Sequence, residues 1–276
     1  MDPDVLLVGC GDLGSRIGLR LVERGHHVLA LRRRAELVPD PLRGLSVDLT
    51  REVPQLPALD LRFLVVALTA RPRSERAYRA TYVEGMRRAL DALDALDQEL
   101  ERAVLVSSTG VHGDVPDGTL VDEILPPSPA DGPARVLLEA EELFASRVPA
   151  GTVVRCSGLY GGDRQRLVER VRAGDVGDPH RWTNRIHRDD AAAAVVHLLT
   201  RSESPEPVYL ATDDEPALMG DVAAHLAEVL GVSAPPSGDR TRAYGKQISN
   251  ARLRATGWVP AYPTYREGYA ASLTDR

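Results

Sequence analysis

Apolar residues are distributed along this chain in two alternating patterns. Short, nearly continuous apolar runs at 5–8, 27–31, 45–47, 62–68, 103–107, 152–156 and 207–211 predict buried strands. Between them apolar residues return every three or four positions, which predicts helices near 12–24, 74–100, 133–146, 164–173, 189–200, 218–230, 249–256 and 264–273. The first helix carries Ile17, Leu21 and Val22 on one face and stops at Gly25, a residue suited to a left-handed cap. Strand–helix alternation of this kind predicts an α/β fold, a doubly wound parallel sheet with helices on both faces. Ligands in such sheets lie beyond the carboxyl ends of the strands. The repetitive stretch Ala89–Asp97 reads as a leucine stripe with a solvated aspartate face inside one helix. Proline-rich stretches at 126–133 and 234–237 read as loops.

Composition narrows the class. The 276 residues allow one large α/β domain, or a nucleotide-binding domain with a smaller companion. Hydrophobic residues at 43% suffice for a core, and with aromatics at only 4% it must be built from Leu, Val and Ala. A net charge of -6 argues against nucleic acid as the main partner, and the only basic cluster is Arg32–Arg34. Cys10 and Cys156 supply no disulfide framework and read as small buried residues. No apolar run approaches the roughly 18 residues of a membrane span, so no membrane partner is expected and the cytoplasm is the expected compartment. No His/Cys/Asp grouping has metal-ligand spacing, and His26 and His27 point apart on a strand.

The opening Val5-Leu-Leu-Val-Gly9-Cys-Gly11-Asp-Leu-Gly14 runs a strand into G-x-G-x-x-G at the head of a helix. This Rossmann-type arrangement suits a dinucleotide: Gly9 allows the tight turn, Gly11 lets the backbone approach a pyrophosphate, and Gly14 lets helix and sheet pack closely. Asp12 and Leu13 complete the loop, whose helix N-terminus offers N–H groups to phosphate. An NAD site usually has Asp or Glu about 20 residues beyond the glycines. Here the second strand ends in Leu31-Arg32-Arg33-Arg34. Arginine suits a 2′-phosphate, so NADP is favoured, NAD remains possible, and Arg32 and Arg33 are the expected contacts; the other reading is a solvated basic turn. Asp48 and Leu49 follow the third strand, where they would accept from and cover an adenine, or form an ordinary turn. The small end of the fourth strand, Ala67 and Leu68, is expected beneath the cofactor.

From Val106-Ser-Ser108-Thr-Gly-Val-His112-Gly113 onward the chain resembles the extended short-chain dehydrogenase/reductase superfamily, which includes nucleotide-sugar epimerases and dehydratases, and above all its atypical members. Val154-Arg155-Cys-Ser-Gly-Leu-Tyr160-Gly161, Asn184-Arg-Ile-His187-Arg-Asp189-Asp190, Tyr209–Pro216 and Ser249–Trp258 extend the resemblance over nearly the whole chain. It implies hydride transfer with a Ser/Thr, a Tyr and a Lys four residues after the Tyr. Ser108 stands at the Ser/Thr position, but Pro133 stands at the Tyr position and Leu137 at the Lys position. The sole lysine is Lys246, and no tyrosine lies between Tyr82 and Tyr160. His112, Tyr160 and His187 are therefore the candidates for proton transfer, with Ser108 binding a substrate oxygen and Arg135 a possible fixed cation. Arg155 needs an inward partner, expected in Asp189 or Asp190, a pair otherwise read as helix capping; Glu139 and Glu141 are expected to face solvent. Tyr78 and Tyr82 share a helical face and read as core or interface, without chemistry.

Together these readings predict an NAD(P)-binding domain of residues 1–155 plus 181–212 and a small α/β cap of 156–180 plus 213–276, with a small-molecule substrate between them. The expected function is an NADP-dependent oxidoreductase or epimerase/dehydratase-like enzyme acting on a small carbonyl or hydroxyl substrate, and the resemblance implies a homodimer. The alternative is a non-catalytic NADP-binding redox sensor or partner-binding module.

Overall fold

The structure is a computed structural model that describes residues 2–97, 99–113 and 115–274. Its strands are β1 Val5–Val8, β2 Val28–Arg32, β3 Arg43–Ser46, β4 Phe63–Val66, β5 Arg102–Ser108, β6 Leu120–Val121, β7 Gly151–Cys156, β8 Gly158–Tyr160, β9 Trp182–Thr183, β10 Arg185–His187, β11 Val208–Ala211, β12 Ala217–Leu218 and β13 Gln247–Ile248. Its helices are α1 Asp12–Val22, α2 Glu75–Tyr78, α3 Met86–Asp94, α4 Gly132–Arg147, α5 Arg166–Arg172, α6 Arg188–Thr200, α7 Met219–Leu230, α8 Ala251–Ala255 and α9 Tyr265–Thr274, with a π-helix at Arg79–Gly85 between α2 and α3.

Two compact units emerge, residues 1–113, 129–155 and 192–209 in the first and 114–128, 156–191 and 210–276 in the second. Residues 181–191 and 210–212, expected with the nucleotide-binding part, cluster with the second unit, as do 114–128.

The seven-stranded sheet has the order β11-β7-β5-β4-β1-β2-β3. β1 pairs in parallel with β2 on one side and β4 on the other, β2 with β3, and β4 with β5. The strand order thus reverses between β1 and β4, the point where doubly wound sheets open a crevice. β1 (VLLV) and β4 (FLVV) are buried at every residue, which is why they read as continuous apolar runs rather than alternating ones. α1 buries Leu13, Ile17 and Leu21; its Gly18 lies so close to Leu42 that a Cβ would sit 2.7 Å from the Leu42 side chain. Leu6, Leu64, Met86, Leu90, Leu105, Val136 and Phe144 fill the core of this unit.

The single helix expected over 74–100 is instead three pieces. Ser74 caps α2 by accepting the Ala77 N–H, the chain widens into the π turn, and α3 ends at Asp94. A three-residue repeat on a helix of 3.6 residues per turn drifts by about 60° per step. Leu90 and Leu93 are buried, whereas Leu96 has rotated off that face and the helix stops before it. The aspartate side is solvated as expected, with Asp91 and Asp94 both bound to Arg147.

The second unit has its own core, in which Tyr160, Val168, Val171, Val222, Leu226, Tyr265 and Tyr269 pack together. Its strand pairs, β8 with β10, β9 with β12 and β6 with β13, are two or three residues long. Runs this short leave no periodicity in the sequence, and none was expected there. No helix among the described residues is long and apolar enough to cross a membrane.

Candidate functional site

In the first unit the glycine loop joins β1 to α1. Gly9 has φ +100, and a Cβ on it would sit 2.6 Å from the Ala67 carbonyl oxygen at the end of β4. A Cβ on Gly14 would drive into the Gly9 carbonyl, so the first turn of α1 lies directly on the loop. A Cβ on Gly11 would meet nothing within 4 Å, and as N-cap of α1 this residue supplies no side-chain cap, so the helix N-terminus is open on that side. Backbone packed tightly on two sides and open on the third is the cradle that a pyrophosphate requires. Leu13 is buried, while Asp12 turns along the helix to Arg16 at 3.4 Å. Cys10 is buried with its thiol 3.3 Å from the Ser15 hydroxyl, and burial pushes that thiol up from its ordinary value.

β2 ends in the three arginines. Arg32 Nη1 donates to the Leu37 carbonyl at 2.7 Å, which fixes that side chain along the following turn. Arg33 and Arg34 are exposed. Asp48 Oδ1 takes the Thr50 N–H at 3.1 Å and the Thr50 hydroxyl at 2.7 Å, the local turn of the other reading, which holds its carboxyl below the usual range. Leu49 is buried in the main core against Gly85, and its carbonyl accepts from Arg88 Nη1 at 3.0 Å. Ala67 is buried against Gly9, and Leu68 packs partly on the main core.

At the end of β5 the expected site splits into two layers. Ser108 caps a 3-10 turn at Thr109–His112; its Oγ accepts the Gly110 N–H at 3.1 Å. Beneath it runs a buried polar chain. Ser107 Oγ donates to Glu141 Oε1 at 2.5 Å, and Arg155 grips Glu141 through Nε at 3.1 Å and Nη2 at 2.7 Å. Arg155 Nη1 reaches His112 Nε2 at 3.0 Å. A guanidinium only donates, so His112 Nε2 accepts and its lone pair is occupied. His112 is wholly buried and serves here as a neighbour of Arg155, not as a group placed to exchange a proton with a ligand.

Three expectations need correcting at this point. The partner of Arg155 is Glu141, not Asp189 or Asp190. Glu141 does not face solvent; it falls on the buried stripe Ala134, Leu137, Ala140 and Phe144 of α4. Asp190 is not a cap but a buried acceptor for the backbone N–H groups of Ala261 at 2.7 Å and Tyr262 at 2.9 Å. Glu139 is half-exposed and bound to Arg79 at 2.6 Å, and Arg135 is exposed.

Tyr160 and His187 lie in the second unit. The Tyr160 hydroxyl donates to the Thr264 carbonyl at 3.3 Å, its ring packs on Tyr269, and burial pushes its phenol far above the ordinary tyrosine value. His187 is buried edge-on to Tyr160 and 4.1 Å from the Tyr262 ring, with Asp189 at 3.5 Å on Nδ1 and the Ser272 hydroxyl at 3.5 Å on Nε2. Asn184 is spent on backbone, accepting the Ile248 N–H at 2.8 Å and donating to the Lys246 carbonyl at 2.9 Å. The structure therefore packs Gly9, Gly14, Ala67 and Leu68 together in the first unit, with Gly11 open in the same loop, and groups Tyr160 with His187 in the core of the second.

Sequence reasoning missed the buried carboxylate of Asp213, near Arg185 and the Glu215 backbone. A clue was present in its position two residues after the apolar run Val208–Ala211.

No family model and no curated protein matches the chain. Among solved structures, one from Methylobacillus flagellatus described provisionally as a NAD-dependent epimerase/dehydratase is 34% identical over 100% of this chain and 99% of its own, with a TM-score of 0.84. A conserved protein of unknown function from Silicibacter pomeroyi is 25% identical over 100% of this chain and 99% of its own, TM-score 0.75. The UDP-glucose 4-epimerase of Thermotoga maritima, solved with UDP-glucose, shares the fold at 16% identity over 98% of this chain and 97% of its own, TM-score 0.78.

Proposed function

The chain belongs to the NAD-dependent epimerase/dehydratase family of extended short-chain dehydrogenases/reductases, and from that premise we propose that it is an NADP-dependent oxidoreductase acting on a small carbonyl or hydroxyl substrate. The observation that carries the cofactor reading is the glycine cradle with three arginines, and no carboxylate, at the end of β2. Gly9, Gly11 and Gly14 would take the pyrophosphate at the N-terminus of α1. Arg33, exposed and free of any fixed local carbonyl, would take the 2′-phosphate, with Arg32 braced by Leu37 beside it. When bound, the nicotinamide supplies a hydride donor or acceptor. Ser108 has its oxygen committed to the Gly110 N–H, which leaves its proton to donate to a substrate oxygen.

Arg33→Ala is expected to weaken NADPH binding about 10- to 100-fold, the loss of a charge-assisted pair, while NADH binding changes little. The reading of the activity is tested by offering NADPH with a panel of ketones, aldehydes and nucleotide sugars, following nicotinamide absorbance. Turnover that falls about 100-fold in Ser108→Ala supports it. Tight NADPH binding without turnover of any member favours the second reading, a binding module without catalysis, for which the burial of His112, Tyr160 and His187 in packing networks speaks.

A further inference from the structure

A cation binds a phosphate more tightly when the backbone that carries it is already fixed, because binding then has less to order. The arginines beyond β2 stand on such a backbone. Five successive carbonyls, Leu31 to Ala35, each accept a hydrogen bond. Leu31 takes the N–H groups of Gly9 at 3.2 Å and Cys10 at 3.3 Å, which ties the end of β2 to the glycine loop. Arg32 takes the Val47 N–H at 3.1 Å, Arg34 that of Leu37 at 3.1 Å and Ala35 that of Val38 at 3.0 Å. The carbonyl of Arg33 differs, because its donor is a side chain, the Ser46 hydroxyl at 2.9 Å.

Ser46 is the last residue of β3 and pairs with Arg32, the last residue of β2. Its hydroxyl carries the pairing of the two strands one residue further, to the peptide between Arg33 and Arg34. Gly44 lies two residues earlier, on the same face of β3. A Cβ on Gly44 would sit 2.9 Å from the Ala35 carbonyl oxygen and 3.2 Å from the Cβ atoms of Ala35 and Val38. The turn Ala35–Leu37 can rest on the strand only because position 44 has no side chain. Two residues of β3 thus fix the chain that presents the arginines, one by a bond and one by vacating space. Of those arginines, Arg32 is bonded to the Leu37 carbonyl, whereas Arg33 and Arg34 are exposed. The carboxylate of Asp48, within electrostatic reach of Arg33, is bonded to Thr50 and lies 3.7 Å from Arg51.

We infer that Ser46 and Gly44 determine the preference for a dinucleotide bearing a 2′-phosphate, as positioning residues that act through Arg33. The inference rests on the NADP reading above. Without the Ser46 hydroxyl the peptide after Arg33 turns to water, and a 2′-phosphate must order it again on binding. With a side chain at position 44 the turn lifts off β3 and takes the arginines with it. A dinucleotide that lacks the 2′-phosphate meets the glycine loop alone and does not sense either change.

Fluorescence titration of the full chain with NADPH and with NADH tests this. Ser46→Ala is expected to weaken NADPH binding about 3- to 10-fold, the worth of one hydrogen bond, and to leave NADH within about 2-fold of wild type. Ser46→Thr keeps the hydroxyl and is expected to bind NADPH like the wild type. Gly44→Val is expected to lose more of the NADPH preference than Ser46→Ala. On the Arg33→Ala background, Ser46→Ala is expected to cost nothing further, because the group it positions is gone. Undiminished preference for NADPH in Ser46→Ala or in Gly44→Val, an equal loss of NADPH and NADH, a Ser46→Thr no better than Ser46→Ala, or the same loss on the Arg33→Ala background overturns the inference while the NADP reading stands. A wild type that prefers NADH or binds neither dinucleotide, or an Arg33→Ala variant that binds NADPH as tightly as the wild type, overturns the NADP reading and this inference with it.

Discussion

Arg155→Met is expected to destabilise the protein by about 3–5 kcal/mol, the loss that follows when one partner of a buried ion pair is removed. The Arg155 and Glu141 side chains are each only 6% exposed, so neither can turn to water when the other is gone. Removing the guanidinium leaves the Glu141 carboxylate with Ser107 as its remaining side-chain partner and takes the donor from His112 Nε2. The loss is a large fraction of the roughly 5–15 kcal/mol that holds a typical domain folded. Urea unfolding followed by near-ultraviolet circular dichroism reads it directly. The double variant Glu141→Leu/Arg155→Met is expected to recover most of the loss, because two apolar side chains of similar volume replace the whole pair. A single variant as stable as the wild type would mean that the chain from Ser107 to His112 does not hold this unit together.

Asp213→Asn is expected to do the reverse, raising stability in a pH-dependent way. Asp213 is buried, and that burial pushes its carboxyl up from 3.8 to about 7. The positive charge of Arg185 opposes the shift, and the neighbouring acids Glu215 and Asp214 add to it. The folded protein therefore keeps a proton that the unfolded chain releases between about pH 4 and pH 7. The favourable contribution is complete below pH 4 and is lost as pH rises through about 7, a change of at most about 4 kcal/mol at 1.36 kcal/mol per pKa unit. Asparagine has no proton to lose, so the gain of Asp213→Asn over wild type should be absent near pH 4 and fully developed above pH 7. Chemical denaturation of both proteins across that range measures it. Equal pH dependence in the two would mean that Asp213 ionises freely in the folded state.

Much of the first unit was legible because its strands are buried on both faces and its glycines have one job each. Val5–Val8 and Phe63–Val66 appear in the sequence as unbroken apolar runs for that reason. Gly9 and Gly14 sit where a Cβ would strike backbone, which no other residue type tolerates. The polar network under Ser108 was legible only in part. Glu141 looked like one of several helix carboxylates, and only its place on the stripe of Ala134, Leu137 and Phe144 distinguished it. Arg155 was recognised as an inward charge, but its partner lies 14 residues away on another element, and sequence spacing does not reveal such pairs. The second unit was the least legible, since strands such as Trp182–Thr183 and Ala217–Leu218 are too short to leave a pattern. The π turn at Arg79–Gly85 also left no mark, because its apolar spacing differs from that of an α-helix by one residue in a single turn.

The most direct test of the account is a fluorescence titration of the purified protein with NADPH and with NADH, repeated on Gly14→Ala. NADPH is expected to bind at least about 10-fold more tightly than NADH, the worth of one charge-assisted pair to the 2′-phosphate. Gly14→Ala is expected to abolish binding of both, because its Cβ would collide with the Gly9 carbonyl. Tighter binding of NADH, or binding of neither dinucleotide by the wild type, would contradict the reading of the glycine cradle and the arginines of β2 as an NADP site.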